Sequence, residues 1–238
     1  ALGYSSVGLG GGSFYTALLA VAGFNAAAIP ILSLTLNLLV TSIGSYYFIR
    51  RRHANFRLLA PFLLSSVPMA YLGGALQLPP ASFYLLLLVS LTFAAARVYL
   101  WKDTGFRLRT GNTGMLVISL LAGSVLGLLA GITGIGGGIF LVPLIIILGL
   151  GTMKQAAACG AIFIWLNSLA GLVSRLQYNA IDLLEHVPLI VAVILGGMLG
   201  SSLGSGRLSR HTMEKILGII ILLAIVILAR KLLVMQGQ

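Results

Sequence analysis

Carboxylates are nearly absent from this chain of 238 residues: Asp and Glu number 4 against 15 Lys and Arg, and the formal net charge is +11. Each acid, Asp103, Asp182, Glu185 and Glu214, falls between apolar runs or at the end of one. No apolar run therefore carries a carboxylate that could relay protons or hold sodium. Cysteine occurs once, as Cys159, which excludes an internal disulfide and any cysteine-based metal cluster. Its neighbours, Ala156 to Gly160, are small, and close packing accounts for it. Histidine is limited to His53, His186 and His211, all in loops and without metal-ligand spacing. No metal and no other cofactor is expected. Gly200-Ser201-Ser202-Leu203-Gly204 matches G-x-S-x-G but lacks the strand-to-helix turn that exposes a nucleophile, so the chain is not expected to be an enzyme.

What the chain does have is apolar length. Hydrophobic residues make up 59% of it, charged residues only 8%, and the mean hydropathy is +1.08. That composition exceeds the needs of a soluble domain and fits an all-α polytopic membrane protein. Several stretches reach the roughly 20 residues that a helix needs to cross a bilayer. They are runs, not the period-two alternation of a membrane β-barrel. The basic residues sit between these runs, where Lys and Arg orient a chain in the membrane, so the positive charge does not point to nucleic acid. The expected partners are the lipid bilayer and a small anionic substrate, with a homodimer left open. No cleavable signal is read at the start, because no basic residue precedes the first apolar run.

Residues 1–12 are rich in glycine and serine, and 13–24 form a half-length apolar segment. Spans are predicted over 26–49, 58–78 and 81–101, with a basic loop at 50–57 and a tight turn at Pro79-Pro80. A polar linker occupies 102–113. A full-length run over 114–133 follows, then a half-length run over 139–150, then spans over 156–176, 187–205 and 216–234.

The two halves are copies. Gly8-Leu9-Gly10-Gly11-Gly12-Ser13-Phe14 recurs as Gly134-Ile135-Gly136-Gly137-Gly138-Ile139-Phe140, and Asn25 through Asn37 aligns without a gap on Gln155 through Asn167. The reading is an internal repeat: a first membrane repeat over 1–101, a cytoplasmic linker over 102–113 and a second membrane repeat over 114–238. Each copy runs from a glycine break to a half-helix, an Asn-bearing span and two further spans. Only the second copy has a full apolar run before its glycines. A leading helix is therefore expected to be missing from the first, because a broken helix pair with one arm absent leaves backbone unpaired in lipid.

Loops 50–57, 102–113 and 206–215 are basic and predicted cytoplasmic. The second-copy counterpart of 50–57 is 177–186, which carries Asp182 and Glu185 and is predicted outside. Corresponding loops then face opposite sides of a cell inner membrane, and the repeats have inverted topology. Arg230 and Lys231, placed near the outer surface, are the exception.

Each glycine in a helix interior costs roughly 1 kcal/mol relative to alanine, so a triple glycine reads as a break. Interrupted helices in inverted repeats are the mark of secondary transporters, with the substrate near the midplane. A helix that starts inside the membrane exposes N–H groups and the positive end of its dipole, which favour an anion. The candidate site comprises Gly10, Gly11, Gly12 and Ser13 at one break, and Thr133, Gly136, Gly137 and Gly138 at the other. Asn37 and Asn167 are matched amides able to donate to an anion, and Trp165 is placed to wall the site. Other readings stand beside this one: glycine clusters also serve packing, as Gly123, Gly127 and Gly131, or Gly196, Gly200 and Gly204, do by their spacing, and membrane asparagines also glue helices. Arg97 and Arg175, near span ends, are expected to snorkel to the interface. A channel-like pore, a hydrolase using Ser202 and a purely structural subunit are the alternative functions.

The paired motifs, Gly134 to Pro143 and Gly8 to Phe14, with Asn-bearing spans behind them, resemble the sulfite exporter TauE/SafE family over almost the whole chain. The first copy departs after Phe14, with Tyr15-Thr16-Ala17 where the second has Leu141-Val142-Pro143. The resemblance implies an integral membrane permease for small sulfur-containing anions such as sulfite, sulfoacetate and related organosulfonates; composition and spacing reach only "small anion".

Overall fold

The structure is a computed structural model that describes residues 10–100, 112–178 and 187–204, together with 219, 222–223, 225–230 and 232–233. Gly8 and Leu9 of the first motif, the linker through 111, most of loop 177–186 and all of loop 206–215 lie outside the described residues. Every regular element among the described residues is helical: α1 (Gly12–Val21), α2 (Ala28–Arg50), α3 (Phe56–Ala75), α4 (Pro80–Leu100), α5 (Asn112–Thr133), α6 (Gly138–Ile147), α7 (Met153–Leu176) and α8 (Val187–Gly204). Among them α2, α3, α5 and α7 are long and apolar enough to cross a membrane.

The helix starts follow from local chemistry. Asn55 caps α3 by accepting from the Leu58 N–H at 3.2 Å. Thr152 and Gln155 form a reciprocal capping box at the head of α7. Pro80 opens α4, where its missing N–H costs nothing. By contrast α1 and α6, each 10 residues long, are preceded by Gly11 and Gly137 at the cap position and have no side-chain cap.

The exposure pattern is that of a protein surrounded by hydrocarbon. Leu64, Leu121 and Val125 are 76%, 64% and 57% exposed, whereas Ser33, Asn37, Asn167 and Ser168 are completely buried. Polar groups in lipid must be satisfied inside the bundle, so the apolar side chains face out.

Packing is closest between α3 and α5, and α7 lies against both α2 and α3. The α3–α5 contact depends on missing side chains. A Cβ at Gly127 would strike the Ser66 carbonyl, and one at Gly131 the Ala70 carbonyl. The Gly123, Gly127, Gly131 series is therefore a packing face, with backbone against backbone. The surroundings of Gly200 and Gly204 lie outside what the structure describes, as does the Arg97 side chain. Cys159 is buried, with its Sγ 3.7 Å from the Asn55 carbonyl.

Arg175 corrects the sequence reading. It does not snorkel: it is 4% exposed, and its Nε and Nη2 both donate to the Gly131 carbonyl at 3.1 Å while Nη2 also donates to Ile132 at 2.7 Å. The end of α5 leaves carbonyls without intrahelical donors, and the forked guanidinium fills that need.

Candidate functional site

The two glycine breaks, more than a hundred residues apart in sequence, touch. A Cβ on Gly12 would run into the Ile135 carbonyl and the Asn37 amide. Only hydrogen fits there, so the start of α1 lies directly against the second break. The Ser33 hydroxyl lies within hydrogen-bonding distance of both breaks, 3.2 Å from the Gly12 carbonyl and 2.9 Å from that of Gly134. Asn37, one turn further along α2, donates from Nδ2 to the Gly134 and Ile135 carbonyls at 3.1 and 3.3 Å. One helix of the first half thus holds the carbonyls that the second break strips of their helical partners.

Gly11 and Gly137 take φ of 122° and 74° immediately before α1 and α6, conformations that favour glycine. Helical carbonyl bonding resumes at Phe14 and Tyr15 onto Gly11, and at Phe140 and Leu141 onto Gly137. Tyr15 closes over the first break, its hydroxyl donating to the Gly10 carbonyl at 3.1 Å. At the second, a Cβ on Gly136 would lie 2.7 Å from Ile164 Cγ2, 3.1 Å from Asn37 Nδ2 and 3.4 Å from Ser168 Oγ. A Cβ on Gly138 would collide with the Ile164 side chain.

Gly10, Gly11, Gly12, Asn37 and Gly136 therefore meet, with Gly137 and Gly138 continuing into α6. Ser13 is buried at the start of α1. Thr133 is buried at the end of α5, where its hydroxyl donates to the Leu129 carbonyl at 2.6 Å and accepts from the Ile135 N–H at 3.3 Å. Asn167 donates from Nδ2 to Phe163, on its own helix, at 2.8 Å. Trp165 is half-buried and pairs through Nε1 with the Ser42 hydroxyl of α2 at 2.8 Å, a contact between α7 and α2. The amide N–H groups of both asparagines are thus engaged by backbone carbonyls.

Sequence reading passed over Ser33, Thr41, Tyr15 and Ser168 as site residues, and read Arg175 only as a side chain at a span end. A signal for the first two was present: Ser33, Asn37, Thr41 and Ser45 recur every four residues on α2, and all are buried. Such spacing places them on one helical face. Next to the site, a cavity of about 160 Å³ is lined by Asn25, Gln77, Phe83, Ile132 and Arg175 among others. Ile132 sits two residues before Gly134, so this cavity adjoins the second break.

Comparison with known proteins places the chain in context. A family model described as "Sulfite exporter TauE/SafE" matches residues 2–228. The chain is 34% identical over 229 residues to the "Probable membrane transporter protein y4hK" of Sinorhizobium fredii, covering 94% of this chain and 92% of that protein. It is 27% identical over 235 residues to the "Probable membrane transporter protein YjnA" of Bacillus subtilis, covering 91% of each. No solved structure matches it.

Proposed function

The chain belongs to the sulfite exporter TauE/SafE family of membrane transporters, and from that premise we propose that it carries small sulfur-containing anions, such as sulfite, sulfoacetate or related organosulfonates, by alternating access around the two glycine breaks. The observation that carries this reading is the contact between the breaks, bridged by Ser33 and Asn37. Two helix starts directed at one point would offer an anion N–H groups and positive dipole ends from both halves. The glycines, covered here by Asn37, Tyr15, Phe163, Ile164 and the Ile135 carbonyl, would let a ligand approach the backbone once the joint opens, and Ser13, Thr133 and Asn167 are proposed to complete the same site. The repeats are read as inverted, with loops 50–57, 102–113 and 206–215 cytoplasmic in an inner membrane. An inside-negative potential then drives anion export with about 2.3 kcal/mol per charge per 100 mV, and no carboxylate relay is required.

Flux of labelled sulfite in proteoliposomes, with and without an imposed potential, tests the proposal. Saturable flux of sulfur oxyanions that responds to the potential is expected. Absence of any such flux, or movement of cations instead, would overturn it.

A further inference from the structure

The buried polar atoms at the breaks divide unevenly between donors and acceptors. Asn37 Nδ2 faces two carbonyls, which fixes the orientation of its amide: the flipped form would set oxygen against oxygen. The same logic fixes Asn167, whose Nδ2 meets the Phe163 carbonyl. Both Oδ1 atoms are then left buried and without a hydrogen-bond partner, as is Ser168 Oγ. Asn37 Oδ1 lies on the first break, 3.0 Å from where a Cβ on Gly10 would be, and Ser168 Oγ lies 3.4 Å from the corresponding point on Gly136. A serine hydroxyl can turn and donate to a nearby carbonyl, but an amide oxygen only accepts.

From these bare acceptors we infer that the cargo is bound as an oxyanion that also carries a hydrogen-bond donor: hydrogen sulfite in preference to the sulfite dianion, or a hydroxyl-bearing sulfonate in preference to an alkyl one. The inference rests on the reading of the breaks as the anion site and narrows it. The anionic oxygens accept from the helix starts, and the ligand's own O–H donates to Asn37 Oδ1, which lies on the first break. A ligand without a donor leaves an amide oxygen desolvated and unpaired, and the repulsion between oxygens adds to that cost. No apolar run carries a carboxylate, so a proton crossing with hydrogen sulfite travels on the cargo itself.

The test is competition against labelled sulfite flux in proteoliposomes by isethionate and by propane-1-sulfonate. These are both monoanionic and of similar size, and they differ by a hydroxyl in place of a methyl. Isethionate is expected to compete roughly five- to a hundredfold better, the range set by leaving one buried polar group unpaired. In a pH series, sulfite flux at fixed total concentration is expected to follow the monoprotonated fraction and fall about tenfold per pH unit well above its second ionisation. Equal competition by the two sulfonates, or flux that tracks the dianion, overturns the inference while leaving sulfur-anion transport standing. Failure of every oxyanion to move overturns the transport reading itself and the inference with it.

Discussion

Placing a methyl group on Gly12 tests whether the two breaks are in contact, because local propensity and tertiary packing predict opposite signs for it. Gly12 opens α1, and Gly→Ala in a helix is ordinarily worth up to about 1 kcal/mol of stabilisation. Here the new Cβ would meet the Ile135 carbonyl and Asn37 Nδ2, neither of which is the free end of a flexible chain. Overpacking of this kind costs about 1–3 kcal/mol, and displacing Asn37 from Ile135 forfeits a further ~0.5–1.5 kcal/mol. The net expectation for Gly12→Ala is a loss of about 0.5–4.5 kcal/mol after a propensity gain of up to about 1 kcal/mol. Gly44→Ala is the internal control: it lies inside α2, and among the described residues no atom outside its own helix backbone comes within 4 Å of its Cβ position, so it should show the propensity gain alone. Equilibrium unfolding in detergent micelles, followed by far-UV circular dichroism, compares the two. If Gly12→Ala is as stable as the parent while Gly44→Ala behaves as expected, the breaks do not touch and the geometry of the site is wrong.

Other substitutions probe the same joint. Arg175→Met removes the donors of Gly131 and Ile132 and should cost about 1.5–3 kcal/mol in the same unfolding assay; Arg175→Lys should recover only part, since an ammonium lacks the guanidinium fork. Asn37→Leu strips both carbonyls of the second break and should abolish sulfite flux in proteoliposomes while costing about 1–3 kcal/mol. Gly137→Leu, at φ 74° and against Phe163, should likewise abolish flux, with protein still recoverable as a monodisperse peak by size-exclusion chromatography.

Much of the fold was legible because hydrocarbon imposes long apolar runs. The spans expected over 26–49 and 156–176 appear as Ala28–Arg50 and Met153–Leu176, and the half-helices as Gly12–Val21 and Gly138–Ile147. The glycine breaks were legible for the same reason, since three glycines stand out in an apolar stretch. What periodicity could not reach was partner choice. Arg175 near a helix end reads as a side chain reaching for the interface; it turned inward because α5 ends beside it with carbonyls to satisfy. Asn37 and Asn167 were matched in sequence, yet one reaches across to the opposite half and the other bonds within its own helix. That difference is decided by which carbonyls lie within reach, a property of the assembled bundle.

The hydrogen bonds at the second break suggest why the motif occurs twice in one chain. Gly134 and Ile135 are buried, so no solvent serves an orphaned carbonyl there, and the donors they find, Ser33 and Asn37, belong to the first half of the chain. Gly12, at the first break, is in turn covered by Ile135 of the second. The second break is thus completed by the other half, which makes the halves interdependent in folding as well as in any binding they perform. Residues 114–238 expressed alone should then be cut readily by added protease around Gly134 to Gly138 in detergent, and co-expression with residues 1–101 should restore protection. Equal resistance of the isolated half would mean that its break is satisfied from within, and Ser33 and Asn37 would lose their role as the joint between the two halves of the chain.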